Sequence, residues 1–345
     1  MKKKRIGLMT GGGDAPGLNG IIESTVRFLS QKNVEVVGIL DGFEGIYKRQ
    51  TRVLTEQDVL GAHARAGTLL GTSNKSSTKN REREFIESYS SLGLDGLIAA
   101  GGDGTFEGLS RVLKGLKLVG VPKTIDNDLA GTDVTFGFDT ACAVVAEAID
   151  ALRATADSHR RVLIVEAMGR TAGWIALGGG LAGFADAILI PERPVSFSDL
   201  VQHMRLLKDQ GRRGATIVIG EGAHFSGESP KVAFRVEGSP QPERLGGISE
   251  VLARRLESAV DWECRHVILG HLQRSRYPTT ADRFLTSSMG VEVGRMVVED
   301  DWGKAVVYRN GRVTRAPLSD IMKPARLVDP NHEWVKLAQS LGIFI

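Results

Sequence analysis

The sequence predicts an α/β fold with a mostly parallel sheet, divided into two lobes with a cleft between them. Short apolar, β-branched runs recur along the chain and are mostly continuous, which is typical of strands buried on both faces. Helix-like stretches with spaced apolar residues separate several of these runs, and such alternation favours a parallel sheet. The length of 345 residues exceeds what one compact core usually holds, which predicts the two lobes.

Eight apolar runs are the predicted strands, and five amphipathic stretches are the predicted helices. The strands are placed at 6–9, 34–40, 96–100, 118–121, 162–167, 187–190, 216–219 and 267–269. The helices are placed at 18–29, 106–113, 140–153, 197–209 and 248–259. The dipeptide Asn310-Gly311 between two short strand-like runs predicts a β-hairpin at 307–313.

Composition argues against several classes of protein. Basic residues number 44 and acidic residues 41, and a net charge of +3 predicts neither a nucleic-acid nor a membrane partner. Only two cysteines are present, which favours a reducing compartment and argues against a disulfide framework. No apolar run reaches the length of a membrane span, and the charged N-terminus is not followed by the apolar core of a signal peptide. We therefore expect a cytoplasmic protein.

Glycine is the informative residue. The chain has 42 glycines, about 12% of its length against a usual figure of roughly 7%, and they gather at the ends of apolar runs. Six polar or glycine-rich segments directly follow predicted strands, at 11–14, 101–105, 124–128, 168–170, 221–222 and 270–274. Ligands in open α/β sheets bind beyond the carboxyl ends of the strands. These six segments are therefore the candidate functional site.

The segment 101–105, Gly-Gly-Asp-Gly-Thr, is a candidate phosphate cradle. Glycine lets backbone N–H groups approach an anion, and a following helix directs its positive end there. Asp103 offers an oxygen ligand for Mg²⁺. The alternative is a tight turn in which Asp103 caps the helix. The segment around Gly13 is a second phosphate-facing loop, since Pro16 does not suit a dinucleotide-binding fingerprint.

The segment 124–128, Thr-Ile-Asp-Asn-Asp, places carboxylates two residues apart. In an extended segment, residues i and i+2 lie on the same side, so Thr124, Asp126 and Asp128 are predicted to face one ligand. One carboxylate there is suited to take a proton from an attacking hydroxyl. A loop of capping acids is an equally good interpretation from spacing alone.

Four arginines are predicted to flank strands, and a histidine, His271, lies near two of them. They are Arg161, Arg170, Arg265 and Arg274. Guanidinium groups bind phosphate oxygens in a two-pronged way. Four of them among strand-end glycines favour an anionic substrate over four unrelated surface residues.

These segments resemble those of the 6-phosphofructokinases of the phosphofructokinase A superfamily. The matching segments run in the family order from residue 5 to about 290. They are 12–19, 101–105, 122–128, 168–170, Glu221, 269–274 and Asp282-Arg283. The set as a whole is specific, whereas other kinase families share only the segment 101–105.

The resemblance implies phosphorylation of the 1-hydroxyl of fructose 6-phosphate. It assigns catalysis to Asp126 as the base and to Arg170, Thr124 and Asp128. It assigns substrate binding to Thr124, Ile125, Asp126, Arg161, Met168, Gly169, Arg170, Glu221, Arg265, His271, Leu272, Gln273 and Arg274. It assigns donor binding to Gly13, Gly102, Asp103, Gly104 and Thr105, with Asp103 also holding Mg²⁺.

The resemblance also implies the domain organisation and the assembly. It implies two similar lobes with the active site in the cleft between them. The donor lobe would comprise 1–138 plus about 277–322, and the sugar-phosphate lobe about 139–276 plus 323–345. A homodimer or homotetramer is implied, in which Arg161 and Arg265 reach into the neighbouring subunit's site.

The phosphoryl donor is the least constrained part of this interpretation, because family members use ATP or pyrophosphate. Gly104 leaves room for the α-phosphate of ATP, which a carboxylate there would repel, whereas Lys123 suits a pyrophosphate leaving group. We expect ATP, because a blocked pocket excludes ATP while an extra lysine excludes nothing.

Asn74 and Lys75 depart from the usual nucleotide-contacting pair. Ser275 and Arg276 depart from the usual glycines, which keeps sedoheptulose 7-phosphate open as an acceptor, and a non-catalytic sugar-phosphate sensor is a further alternative.

Overall fold

The computed structural model describes residues 3–73, 77–235 and 243–345 and divides into two compact units. Unit 1 comprises the described residues up to Ile125, Leu129–Thr140 and Arg274–Ala325. Unit 2 comprises Asp126–Asp128, Ala141–Gln273 and Arg326–Ile345. The short segment Asp126–Asp128 therefore belongs to unit 2, although the residues on both sides of it belong to unit 1.

The secondary structure alternates between strands and helices over most of the chain. The strands are β1 (Lys4–Thr10), β2 (Val34–Ile39), β3 (Thr51–Leu54), β4 (Gly96–Gly101), β5 (Leu118–Pro122), β6 (Arg161–Ala167), β7 (Ala187–Leu189), β8 (Ala215–Gly220), β9 (Val232–Arg235), β10 (Glu243–Leu245), β11 (Glu263–Ile268), β12 (Lys304–Arg309) and β13 (Arg312–Pro317). The helices are α1 (Leu18–Ser30), α2 (Phe43–Tyr47), α3 (Glu56–Val59), α4 (Glu82–Ser91), α5 (Asp103–Ser110), α6 (Phe138–His159), α7 (Trp174–Ala182), α8 (Phe197–Asp209), α9 (Ile248–Glu257), α10 (Leu272–Ser275), α11 (Thr280–Val298), α12 (Leu318–Ile321) and α13 (Glu333–Ser340).

The described part of unit 1 contains a seven-stranded sheet in the order β13-β12-β5-β4-β1-β2-β3. Its five inner strands are parallel, and only the edge strands β3 and β13 are antiparallel to their neighbours. The predicted hairpin is confirmed: β12 and β13 are joined through Asn310 and Gly311, whose φ values of 51° and 77° suit a turn that needs positive φ at both positions. Met9, Leu97 and Phe106 are buried in the hydrophobic core of unit 1.

Unit 2, in its described residues, is built on a four-stranded parallel sheet in the order β11-β6-β8-β7, with β9 and β10 forming a separate antiparallel pair. Ile164, Ile217 and Leu252 belong to its buried core. The predicted α/β class with mostly parallel sheets flanked by helices is confirmed. None of the helices in the described ranges is long and apolar enough to cross a membrane.

Two element boundaries differ from the prediction for a physical reason. Strand β11 begins at Glu263 and ends at Ile268, whereas the apolar run predicted only 267–269. It is an edge strand with one neighbour, and its last four residues are exposed, so it accepts polar residues such as Arg265 and His266. Arg265 therefore lies inside a strand, and the prediction that it flanks one was wrong. Helix α5 begins at Asp103 and not at Phe106, because the glycine segment itself enters the helix.

The start of α6 depends on a buried carboxylate from α11. Asp282 is 1% exposed and accepts hydrogen bonds from the N–H of Gly137 (2.8 Å), the N–H of Thr140 (2.9 Å) and the Thr140 hydroxyl. Unpaired N–H groups at a helix start need such an acceptor. Burial raises the pKa of Asp282 to about 6, although these three donors favour the carboxylate.

We expect Asp282→Asn to destabilise the protein by about 1–3 kcal/mol at pH 7, because the amide NH₂ would face an N–H donor. The folded pKa lies above the usual value near 3.9, so the Asp282 contribution to stability is complete below about pH 4 and is lost as the pH rises through about 6. The stability of Asp282→Asn should not show this decrease between about pH 4 and 6, because an amide does not titrate. Melting temperatures from pH 4 to 7 test both points, with Asp150→Asn, at an exposed position of α6, as control. Equal melting temperatures for the parent and Asp282→Asn would contradict the capping role.

Candidate active site

The six predicted strand-end segments divide equally between the two sheets. Segments 11–14, 101–105 and 124–128 follow β1, β4 and β5, which are consecutive in the sheet of unit 1. Segments 168–170, 221–222 and 270–274 follow β6, β8 and β11, which are consecutive in the sheet of unit 2. Because parallel neighbours end on the same side, polar turns gather at the carboxyl end of each sheet.

In unit 1, the turns after β1 and β4 meet at one buried side chain, Thr105, which is 4% exposed. A Cβ atom at Gly11 would lie 2.6 Å from Thr105 Oγ1, and one at Gly101 would also collide with this side chain. Glycine at both positions is therefore required by packing between the two turns. Thr105 holds the two glycine segments together, and its predicted contact with the donor stays a prediction.

The start of α5 is an open helix terminus. Gly102 is the N-cap residue and provides no side-chain cap, and Asp103 and Gly104 follow as exposed residues of the first turn. A Cβ atom added at Gly104 would have no heavy atom within 4 Å. The positive end of the helix dipole and its backbone N–H groups attract anions. This terminus is therefore suited to a phosphate.

Two cationic side chains bind the backbone of the first glycine segment. Lys123 is only 3% exposed, and its Nζ donates a hydrogen bond to the carbonyl oxygen of Gly13. Arg274 donates from Nη1 to the carbonyl oxygen of Asp14 at 2.7 Å. Both cations raise the positive potential beside the segment, which favours anionic ligands. Arg274 therefore contacts the backbone of the first glycine segment. The sequence assigns Gly13 of that segment to donor binding and Arg274 to substrate binding, and it does not predict this contact.

In unit 2, hydrogen bonds join three turns around the end of β6. The N–H of Glu221 donates to the carbonyl oxygen of Ala167 at 2.8 Å, and the Gln273 side chain accepts from the N–H of Met168 at 3.3 Å. A Cβ atom at Gly222 would collide with the carbonyl oxygen of Arg170. The structure thus brings together the turns that carry Met168 and Gly169, Arg170, Glu221 and the segment 269–273.

The residues of the last of these turns differ in exposure. His271 is exposed and Leu272 is 62% exposed, whereas Gln273 is fully buried. The Gln273 side chain also donates to the carbonyl oxygen of Gly270 at 3.1 Å. Gln273 therefore shapes the turn from within, and His271 is a polar residue of the turn that is accessible to a ligand.

The base candidate lies in a tight turn. Asn127 is buried and has φ 54°, a left-handed conformation that asparagine accepts more readily than most residues. Asp126 is half-buried, and its Oδ1 atom is shielded from solvent. Arg326 donates from Nη2 to the carbonyl oxygen of Asn127 at 2.8 Å. Arg326 was missed by sequence reasoning, because its segment carries no motif and lies about 200 residues further along the chain.

Arg161 and Arg265 are not brought to Arg170 within this chain. Arg161 begins β6 and Arg170 follows its other end, which places them roughly 20 Å apart at about 3.3 Å per residue. Both Arg161 and Arg265 form ion pairs with Glu263, and Arg265 also pairs with Glu257 at 3.2 Å.

The metal prediction rests on Asp103 alone. Across residues 3–73, 77–235 and 243–345, no group of three or more His, Cys, Asp or Glu side chains is arranged to hold a metal ion. Magnesium in phosphoryl-transfer sites is usually held by one or two carboxylates together with substrate phosphates. A single exposed carboxylate at an anion-binding helix start fits that arrangement. Asn74 and Lys75 lie outside the described residues.

Comparisons with known proteins show which family the chain is similar to. The family profile described as "Phosphofructokinase" matches residues 5–297. The chain is 42% identical to "ATP-dependent 6-phosphofructokinase" of Chloroflexus aurantiacus, with 99% of this chain and 98% of the relative covered. It is 41% identical to "Pyrophosphate--fructose 6-phosphate 1-phosphotransferase" of Dictyoglomus thermophilum, with 96% of each chain covered.

A solved structure extends the likeness to the fold. The chain aligns with the Pichia pastoris phosphofructokinase in the T-state at a TM-score of 0.81 and 29% identity, covering 99% of this chain. It spans 37% of that longer chain. On the full-length match to its relatives and the ordered strand-end segments, the chain belongs to the phosphofructokinase family.

Proposed function

We propose that this protein transfers the γ-phosphoryl group of ATP to the 1-hydroxyl of fructose 6-phosphate, giving fructose 1,6-bisphosphate in the cytoplasm. The observation that carries the proposal is that Asp103, Asp126 and Arg170 are all present in segments that directly follow strands, in a chain that matches the family over residues 5–297. These residue types supply a metal ligand, a base and a cation for the transferring group. A non-catalytic sugar-phosphate sensor would not need this set.

The chemistry follows from the roles of these side chains. Asp126 takes the proton of the 1-hydroxyl as its oxygen attacks the γ-phosphorus, while the bond to the leaving ADP oxygen breaks. Arg170 stabilises the negative charge on the transferring group, and Thr124 and Asp128 orient the sugar. Mg²⁺, held by Asp103 and donor phosphate oxygens, would neutralise charge on the donor.

Gly104 supports ATP as the donor. Glycine inside a helix costs roughly 0.5–1 kcal/mol relative to alanine. Neither packing nor backbone conformation requires it here, since a Cβ atom would meet open space and the φ value is not in the left-handed region. The space beside residue 104 is thus compatible with a ligand larger than pyrophosphate.

Pyrophosphate is the second candidate donor, and a specific observation favours it. Lys123 places a buried ammonium group beside the carbonyl oxygen of Gly13 in the first glycine segment. A cation at this place favours a phosphate leaving group. Relatives named for either donor have nearly the same identity to this chain, 42% and 41%.

We also propose that unit 1 binds the donor and unit 2 the sugar phosphate, with Glu221, His271 and the other predicted residues as ligands. A homodimer or homotetramer is supported by the edge strand β11, where Val267 and Ile268 are 38% and 49% exposed. Apolar side chains on an open edge favour association. In that assembly, Arg161 and Arg265 would serve the neighbouring subunit's site.

Steady-state assays with MgATP and with pyrophosphate, side by side, test the proposed function. We expect a higher kcat/KM for ATP, with sedoheptulose 7-phosphate a poorer acceptor than fructose 6-phosphate. A clear preference for pyrophosphate would refute the donor assignment. Binding of fructose 6-phosphate without turnover from either donor would instead support the sensor.

A further inference from the structure

Arg326, in the C-terminal segment of unit 2, donates hydrogen bonds to the turn that carries the proposed base. Its guanidinium Nη2 donates to the carbonyl oxygen of Asn127 at 2.8 Å, and its backbone N–H donates to the carbonyl oxygen of Asp128 at 2.6 Å. These are the two peptide carbonyls that directly follow Asp126. Hydrogen bonds from a charged donor are roughly twice as strong as neutral ones, so the guanidinium contact is the stronger restraint.

The same residue is bound on its other side by Trp174, the first residue of α7. Trp174 Nε1 donates to the carbonyl oxygen of Arg326 at 2.8 Å, and the guanidinium carbon lies 4.7 Å from the centre of a Trp174 ring. Trp174 is 3% exposed. Its ring packs in a T-shaped arrangement against the rings of His332 and Trp334, with centre-to-centre distances of 4.9 Å and 6.1 Å. A guanidinium held against an aromatic ring in this way is attracted to the face of the ring.

A second connection runs parallel to the first, through a carboxylate. Both oxygens of Glu192 accept from the N–H of Gly173 at 3.0 Å, and Oε1 also accepts from the N–H of Val328 at 2.9 Å. Burial raises the pKa of Glu192 against the effect of these hydrogen bonds. The segment 326–328 is thus anchored twice to residues 173 and 174, immediately after the turn that carries Arg170.

We propose that Arg326 is a positioning residue, which sets the turn of Asp126 relative to the turn of Arg170. The proposal rests on the proposed function, in which Asp126 is the base and Arg170 stabilises the transferring group. Arg326 contacts neither reactant in this scheme. It acts through the carbonyls of Asn127 and Asp128 on one side and through Trp174 on the other.

Such a link matters because the two turns share no strand. Asp126 must lie within hydrogen-bond reach of the 1-hydroxyl at the moment when Arg170 meets the phosphoryl oxygens. A misplacement of about 1 Å in a reacting group can cost about 10²-fold in rate. A left-handed turn at Asn127 has no regular ladder to hold it, so its position depends on side-chain contacts.

Kinetics of Arg326→Gln test the proposal. Glutamine keeps the backbone hydrogen bonds but removes the charged donor and the stacking on Trp174. We expect kcat to fall about 10- to 100-fold while the KM for fructose 6-phosphate changes less than about 3-fold, because orientation and not ground-state binding is lost. Arg326→Lys, which keeps a charged donor, should recover part of the loss.

Arg255→Gln is the matched control. Arg255 is also a half-buried arginine of unit 2 stacked on aromatic rings, 4.4 Å from Phe197 and 4.8 Å from Phe225, and it pairs with Glu228 at 2.8 Å. None of these residues belongs to the proposed site. We expect its kcat to stay within about twofold of the parent even where its melting temperature falls, as for substitutions away from a catalytic centre. Equal losses of kcat in both variants would mean that Arg326 only stabilises the unit.

Backbone amide exchange gives a readout that does not depend on activity. Arg326→Gln should speed exchange in the turn after Asp126 and at Gly173, whereas Arg255→Gln should leave both unchanged. Unchanged exchange at both turns, or parental kcat, would overturn the proposal. Trp174→Phe, which keeps a ring but removes the Nε1 donor, replaces Arg326→Gln if the latter fails to fold. Asp126→Ser is assayed in parallel: if it stays active, the assignment of the base fails; if it is inactive while Arg326→Gln behaves as the parent, only the positioning role fails.

Discussion

Serine in place of Asp126 should lower kcat by about 10²- to 10⁴-fold, the usual contribution of a general base. The apparent affinity for fructose 6-phosphate should change far less, because proton abstraction is an interaction of the transition state and not of the bound substrate. Serine is smaller than aspartate, and the contact of Arg326 with the backbone carbonyl of Asn127 does not involve the side chain of residue 126.

Initial rates over a range of fructose 6-phosphate concentrations, with the better donor saturating, separate kcat from KM. Asp199→Ser is the control, since Asp199 is an exposed carboxylate in the first turn of α8 of the same unit. Near-parental turnover of Asp126→Ser would remove Asp126 from the mechanism. The double variant with Arg326→Gln adds a sharper comparison. If Arg326 acts through Asp126, its loss should cost little once the base is gone.

The sequence was sufficient for the central strands because these are buried on both faces and appear as continuous apolar runs, as in β4 and β8. It was insufficient for elements with another environment. Half of β11 is polar because this edge strand pairs with one neighbour only and most of its residues are exposed. Helix α11 was not predicted, since its buried face includes the polar or small residues Thr286 and Gly290 while the apolar Phe284 is exposed, which hides the periodic pattern.

The candidate site also has features that the sequence predicted and features that it did not. Its turns were predictable because each directly follows a recognisable strand, as Gly102 follows β4 and Met168 follows β6. The contacts that hold the turns were not predictable. Lys123 donates a hydrogen bond to Gly13, 110 residues away in the sequence, and Arg274 donates one to Asp14, 260 residues away. No local sequence pattern around either partner indicates these contacts. Tertiary contacts of backbone carbonyls leave no pattern in a single sequence.

Aspartate in place of Gly104 should lower kcat/KM for ATP by up to about 10³-fold, because like charges about 4 Å apart repel by about 4 kcal/mol at an effective dielectric constant of 20. The loss should come from the donor pocket and not from the fold. A Cβ atom at residue 104 meets no heavy atom within 4 Å, and the position lies in the first turn of α5. A carboxylate there interacts favourably with the helix dipole by about 0.3–1 kcal/mol.

The melting temperature of Gly104→Asp should therefore equal or exceed that of the parent while ATP turnover falls. A variant damaged in folding would lose both. Gly104→Asn, similar in size and uncharged, separates the two causes of the loss: retention of ATP activity would assign it to charge, and an equal loss would assign it to steric exclusion. Turnover with pyrophosphate, which has no α-phosphate beyond the reacting pair, should change least. Unaltered kcat/KM for ATP in Gly104→Asp would show that the donor does not occupy the start of α5, and Lys123 would then be the residue on which donor choice depends.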